Sequence, residues 1–89
     1  MAIYEATLKR QCLSYLKKHP DIWYVKISDR FISGIPDIFV CHQGRFMAFE
    51  LKSGKGVVSK IQQATIRNIR KAGGFAEVIR SLEELKNYV

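Results

Sequence analysis

Long hydrophobic runs, signal-peptide features and paired cysteines are all missing from this sequence of 89 residues. No apolar stretch approaches the roughly 20 residues that a membrane-spanning helix requires, and the first residues lack the charged-then-apolar layout of a secretory signal. Cys12 and Cys41 have neither CxxC nor metal-finger spacing. Because both lie within apolar patterns, we expect two free, buried thiols. We also expect a cytoplasmic protein with no membrane partner.

Acidic residues are scarce as well. The chain has 8 Asp and Glu against 15 Lys and Arg, which gives a formal net charge of +7, and the stretch from Gly54 to Gly74 contains no acidic residue. A small basic domain usually meets nucleic acid or another anionic surface. The length fits one domain over residues 1–89, and a hydrophobic content of 47% excludes a disordered tail.

The spacing of apolar residues predicts the element order α-β-β-β-α-β-α. A stripe of Leu8, Cys12 and Leu16 indicates the first helix, and capping-box patterns begin at Ser59 and Ser81. The second helix would turn Ile61, Thr65, Ile69 and Ala72 to one side. The predicted helices cover 2–18, 59–72 and 81–89, and the predicted strands cover 22–27, 37–41, 45–52 and 75–79. We expect an α/β fold with a central mixed sheet flanked by helices, in which the second helix makes a right-handed crossover between parallel strands.

A tight turn at Gln43-Gly44 predicts the register of the hairpin. A two-residue loop pairs His42 with Arg45 and therefore sets Asp37 directly opposite Glu50. Two facing carboxylates repel, and a divalent cation such as Mg²⁺ offsets that repulsion. A three-residue loop would instead pair Asp37 with Phe49 and displace this geometry.

Lys52 follows Glu50 by two residues and so emerges on the same face of its strand. Leu51 points to the other face, while its backbone carbonyl stays available beside the carboxylates. Asp, Glu and Lys on one face suit metal-assisted hydrolysis of a phosphodiester, in which the metal activates a water and the lysine orients it or stabilises negative charge. The alternative is a solvated Glu50–Lys52 pair on an exposed strand.

Two motifs separated by the hairpin, Gly34-Ile35-Pro36-Asp37 and Phe49-Glu50-Leu51-Lys52, resemble the signature of PD-(D/E)XK nucleases. The stretch from Ser33 through Leu82 resembles the VRR-NUC branch of that superfamily. The further matching segments are Ser53-Gly54, Ser59 to Gln62 before a basic helix, and Ala72-Gly73-Gly74 before a final strand. The ordered set is far more specific than the two short motifs alone.

The resemblance implies a restriction-endonuclease-like fold and DNA cleavage that depends on Mg²⁺ or Mn²⁺. Positions matching Asp37 and Glu50 bind metal in that family, and the position matching Lys52 assists the attacking water. The position matching Gln62 lies beside the site, although Gln62 also completes a capping box with Ser59.

Related Holliday junction resolvases are dimers with a glutamate on the first helix, and Glu5 is the candidate for that position here. It falls in line with the core-facing stripe, where a carboxylate is costly unless it is paired or bound to metal. Alternatively, Glu5 only complements the helix dipole. By analogy we expect a homodimer that acts on branched DNA such as four-way junctions or flaps.

Basic residues after Lys52 are expected to contact the phosphate backbone and to recognise DNA shape rather than sequence. They are Lys55, Lys60, Arg67, Arg70 and Lys71. The chief alternative is a DNA-binding module that keeps the fold without catalysis. A metal-free RNA endonuclease needs a histidine base, and neither histidine is next to Glu50 or Lys52 in the sequence.

Overall fold

The order of helices and strands is the α-β-β-β-α-β-α pattern predicted from the sequence. The computed structural model describes residues 4–29 and 31–89. Its elements are α1 (Glu5–Lys17), β1 (Ile22–Lys26), β2 (Ile38–His42), β3 (Arg45–Leu51), α2 (Lys60–Lys71), β4 (Phe75–Ile79) and α3 (Leu82–Lys86). Ala2 and Ile3, assigned to the first helix by the sequence pattern, lie outside the described residues. None of the helices described is long and apolar enough to cross a membrane.

The four strands form one mixed sheet in the order β1-β2-β3-β4. The first three are antiparallel, and β4 runs parallel to β3 because α2 carries the chain across the sheet between them. The predicted α/β class and the parallel pairing are therefore confirmed. Both faces of the sheet carry helices, so the strand ends near Asp37 and Leu51 become the place where several elements meet.

The β2–β3 turn is the two-residue loop expected from the sequence. Gln43 and Gly44 have φ values of +54° and +77°, the left-handed pair that a type I′ hairpin requires. The ladder runs from His42↔Arg45 to Ile38↔Phe49. One further step of this register sets Asp37 opposite Glu50, just before β2 begins. The three-residue alternative is wrong.

Two hydrophobic cores lie on opposite faces of the sheet. The larger core joins α1 and α3 to the strands and contains the predicted stripe Leu8, Cys12 and Leu16. The smaller core contains Ala48, Ile66 and Ala76 beneath α2. The predicted apolar face of α2 is partly wrong, since Ile61 is 55% exposed and Ile66, which the pattern omitted, is buried.

The two cysteines differ in environment. Both are free thiols, as expected, but Cys12 is buried and Cys41 is exposed. Burial raises the pKa of the Cys12 thiol to about 11, which keeps it protonated at neutral pH. The expectation of a buried Cys41 is wrong because its strand position faces the α2 side of the sheet, where α2 packs chiefly on β4.

Candidate functional site

Asp37 is fixed by contacts to three different elements. Its backbone carbonyl accepts a hydrogen bond of 2.8 Å from the Ile27 amide. Its carboxylate Oδ2 accepts another of 2.8 Å from the Leu51 amide, which continues the β2–β3 pairing through a side chain. Lys9 Nζ of α1 lies 3.9 Å from Oδ1. Asp37 is therefore positioned by the hairpin and partly neutralised by the first helix.

Glu50 is the charged residue most deeply enclosed at this end of the sheet. It lies in β3 and is 4% exposed. The Gln62 side-chain amide donates a hydrogen bond of 2.8 Å to its Oε1. Its Oε2 is buried and has no hydrogen-bond partner within the part of the chain that the structure describes. A buried carboxylate oxygen left in this way is costly, so the site favours a ligand that would satisfy it.

The electrostatics of the site follow from this enclosure. Burial raises the pKa of the Glu50 carboxyl from 4.5 to about 8, the negative charges of Asp37 and Glu5 add to the rise, and Lys52 opposes it. In the absence of a further cation, the two facing carboxylates cannot both ionise without a penalty. A cation bound between them would relieve that penalty.

Gln62 performs both of the roles that its position in the sequence allowed. Its amide oxygen accepts a hydrogen bond of 2.9 Å from the Ser59 backbone N–H, and its own backbone N–H donates to Ser59 Oγ at 3.1 Å. Its side-chain nitrogen is left to face Glu50. Because the cap uses the oxygen, the amide is held in the orientation that donates to the carboxylate.

Lys52 directly follows β3 and is half-buried. Its backbone N–H donates to the Ile79 carbonyl at 3.1 Å, which ties it to β4. The loop after it folds back, so that a Cβ at Gly56 would lie 3.6 Å from Lys52 Cδ. Arg80 Nη1 holds the same loop by donating to the Gly54 carbonyl at 3.2 Å. The Lys52 charge lowers the pKa of Glu50, although within the described residues its ammonium makes no ion pair with either carboxylate.

Glu5 occupies a different environment from the one its alignment with the core stripe predicted. It is exposed, because α1 begins at this residue and the stripe enters the core only at Leu8. Among residues 4–29 and 31–89, no three Asp, Glu, His or Cys side chains lie close enough to hold a metal together. Glu5 therefore does not complete a ligand set with Asp37 and Glu50, although its charge reaches Glu50.

Lys9 is the contributor to the site that the sequence pattern did not indicate. It lies one helical turn after Glu5, so both residues share one side of α1. The spacing between Glu5 and Lys9 was the feature of the sequence that could have indicated this role. The packing of α1 against the sheet is what brings the Lys9 ammonium to Asp37.

Gly34 sets the distance between the motif loop and α2. It has a φ of +78°, and a Cβ built on it would overlap the Ile61 side chain and lie 2.9 Å from the Ile61 backbone carbonyl. Only glycine allows this approach, which brings the first turn of α2, and Gln62 with it, next to Asp37 and Glu50.

The five basic residues predicted to contact nucleic acid are all exposed. They are Lys55, Lys60, Arg67, Arg70 and Lys71. Arg70 is nevertheless partly compensated, because its guanidinium lies 3.3 Å from Glu77 Oε2 and donates to the Ala76 carbonyl at 2.9 Å. The absence of acids from 54–74 did not reveal this pairing, since Glu77 belongs to the neighbouring strand β4.

Comparisons with known proteins identify the fold and the family of the chain. No curated protein matches the sequence. A solved structure described as a VRR-NUC domain superposes with a TM-score of 0.76 over 93% of this chain and 90% of its own, at 20% sequence identity, which indicates a shared fold. The model of the VRR-NUC domain family matches residues 5–83. The chain therefore belongs to the VRR-NUC family of nuclease-related domains, with DNA as the partner that this membership implies.

Proposed function

We propose that this protein is a DNA endonuclease that hydrolyses phosphodiester bonds with Mg²⁺, for which Mn²⁺ substitutes. The observation that supports it most strongly is the unpartnered, buried Oε2 of Glu50 beside the carboxylate of Asp37. Oxygen ligands from one or two carboxylates, completed by waters and substrate phosphate, are the environment that Mg²⁺ prefers.

The residues present fit such an ion. Asp37 and Glu50 would hold it, and the backbone carbonyl of Leu51, between Glu50 and Lys52 in sequence, is a third candidate oxygen. When bound, the ion polarises a phosphate oxygen and lowers the pKa of a bound water. The repulsion from Asp37 and Glu5, which adds to the rise that burial causes in the pKa of Glu50, would be relieved at the same time.

The remaining roles belong to the chain's own side chains and backbone. Lys52 orients the attacking water or stabilises the negative charge that develops on the phosphate. Gln62 keeps Glu50 in one rotamer through the 2.8 Å hydrogen bond to its Oε1. The Leu51 N–H does the same for Asp37. Both carboxylates are thus held before substrate arrives, which limits reorganisation during the reaction.

The test is cleavage of linear, flapped and four-way DNAs in Mg²⁺, in Mn²⁺ and in a chelator. Wild type, Asp37→Asn, Lys52→Ala and the control Asp21→Asn, an exposed acid before β1, should be compared. We expect cleavage only with metal, its loss in the two site variants and its retention in the control. Equal cleavage by all four proteins would reject the site. DNA binding without cleavage under every metal condition would favour the non-catalytic module.

We also propose that the protein is a homodimer and that it acts on branched DNA. One chain offers one site, whereas cutting two strands at a junction needs two sites related by symmetry. We propose that a second copy of the chain packs against an exposed row on the sheet. This row consists of the register partners Trp23, Cys41 and Phe46, of which Trp23 and Phe46 are 60% and 43% exposed.

Sedimentation velocity tests this dimer. We expect wild type at twice the mass of one chain, Trp23→Ser or Phe46→Ser shifted toward monomer, and Phe31→Ser unchanged, since Phe31 is 99% exposed and belongs to the segment between β1 and β2, not to that row. A monomeric wild type would overturn the dimer. Preference for four-way over linear DNA in the cleavage assay would support the branched substrate.

A further inference from the structure

A basic groove between α1 and β1 lies outside the residues that the motifs identified. It encloses about 490 Å³, and its cationic side chains are Lys9, Arg10, Lys17 and Lys26. Leu13 and Tyr24 line the groove and also pack against the larger core, so the core holds these two lining residues in place. It is on the face of the sheet opposite to α2.

The charge of this groove is of one sign. None of the described residues that line it is acidic. Within the described residues the only ion pairs are Lys9–Asp37 and Arg70–Glu77, so Arg10, Lys17 and Lys26 make none there. Several cations brought together without acidic partners repel one another, and a polyanion is the ligand that offsets this repulsion.

The groove ends at the candidate site. Lys9 lines the groove and also lies 3.9 Å from Asp37 Oδ1. On the β1 side, Lys26 lies opposite Ile38 in the strand register. The backbone N–H of the next residue, Ile27, donates to the Asp37 carbonyl. A chain of phosphates that reached Asp37 from this side would therefore pass along the groove.

We propose that this groove binds the phosphate backbone of the DNA strand that enters the site, an inference that rests on the proposed nuclease function. Lys9 and Lys17 are eight positions apart on α1, about 12 Å at 1.5 Å per residue. That length exceeds the distance between neighbouring phosphates of one strand, so the groove is long enough to contact more than one of them. Binding through phosphates alone gives affinity without sequence preference.

The experiment measures binding of a short fluorescein-labelled DNA duplex, and of its single strand, against salt concentration, with Ca²⁺ in place of Mg²⁺. Lys17→Gln/Lys26→Gln removes two exposed groove cations. The matched control Arg45→Gln/Lys86→Gln removes two exposed cations outside the groove, Arg45 being at the opposite end of β3 from Glu50. Thermal unfolding checks that both variants remain folded.

The groove variant is expected to bind more weakly than the control at every sequence tested. Its slope of log affinity against log salt should be smaller in magnitude by about 2, because each lysine removed leaves one phosphate without its cation. Affinity and slope equal to those of the control variant would overturn the inference. So would dependence of anionic-vesicle binding, rather than DNA binding, on Lys17 and Lys26.

The two proposals fail in different ways. Cleavage by the wild type combined with unchanged DNA binding by the groove variant rejects the groove and leaves the nuclease function standing. Absence of cleavage under all metal conditions rejects the nuclease function. In that case the loss of DNA affinity in the groove variant still supports the groove, because the binding assay does not depend on catalysis.

Discussion

Gln62 donates its side-chain amide to Glu50 Oε1 at 2.8 Å while the oxygen of the same amide caps helix α2. The orientation of a buried carboxylate is thereby coupled to the start of a helix. A side chain that served only the cap would leave Glu50 without its donor, and one that served only Glu50 would leave the exposed Ser59 amide to water.

Gln62→Glu separates these two roles. Glutamate at the third helical position still accepts from the Ser59 N–H, so α2 should remain capped. It replaces the donor facing Glu50 by a second carboxylate. A hydrogen bond to a charged group contributes about 1.5–3 kcal/mol, so we expect cleavage to fall by roughly 10- to 100-fold or more.

The matched control for that variant is Gln63→Glu, because Gln63 is the exposed neighbour and its side chain donates to the Val58 carbonyl instead of to Glu50. It should retain activity and adds the same charge. Equal reductions of cleavage in the two variants would mean that added charge near DNA, and not the hydrogen bond to Glu50, is responsible.

The stability of the metal-free protein should fall as pH rises. The Glu50 carboxyl has a pKa of about 8 in the folded protein against an ordinary value of 4.5. Between these values the folded state binds more protons than the unfolded state, so unfolding becomes easier with increasing pH. Urea unfolding from pH 5 to 8 in a chelator measures this, and Glu50→Gln should flatten the dependence. An equally steep dependence in Glu50→Gln would assign it to other groups.

Mg²⁺ should stabilise the wild type more than Glu50→Gln at pH 8. A ligand at 100 times its dissociation constant adds about 2.7 kcal/mol to the free energy of unfolding of the form that binds it. Thermal unfolding with and without Mg²⁺ measures the effect, and Na⁺ at equal ionic strength controls for screening. An identical shift for both proteins would place Mg²⁺ binding away from Glu50.

Gly34→Ala should destabilise the protein more than Gly44→Ala. Both glycines have nearly the same positive φ, +78° and +77°, so the backbone strain of about 1–2 kcal/mol is common to the two variants. At Gly34 the added Cβ overlaps Ile61, whereas no described residue other than the chain neighbours has an atom within 4 Å of it at Gly44.

The difference between the two variants in the free energy of unfolding, measured in urea, isolates that overlap. We also expect Gly34→Ala to lose cleavage activity beyond its loss of stability, because displacement of the first turn of α2 moves Gln62 away from Glu50. Equal destabilisation of the two variants would show that Ile61 gives way without cost.

Local patterns in the sequence determined most of the fold. The Gln43-Gly44 turn fixed the hairpin register, because only residues that tolerate positive φ form a two-residue loop, and the register set Asp37 opposite Glu50. The capping box at Ser59 fixed where α2 begins. These features depend on neighbours in the chain, so they can be recognised without knowing how the elements pack.

Tertiary packing decided what these local patterns could not. It brought Lys9 to Asp37, paired Arg70 with Glu77, left Cys41 exposed and kept Glu5 out of the core. Each of these depends on how a helix is rotated and how far it extends over the sheet, which hydrophobic spacing alone specifies loosely. The sequence determined that two carboxylates would face each other. The fold decided how deeply Glu50 is buried and that, among the residues described, one of its oxygens has no partner, because desolvation arises only when distant segments close over a side chain.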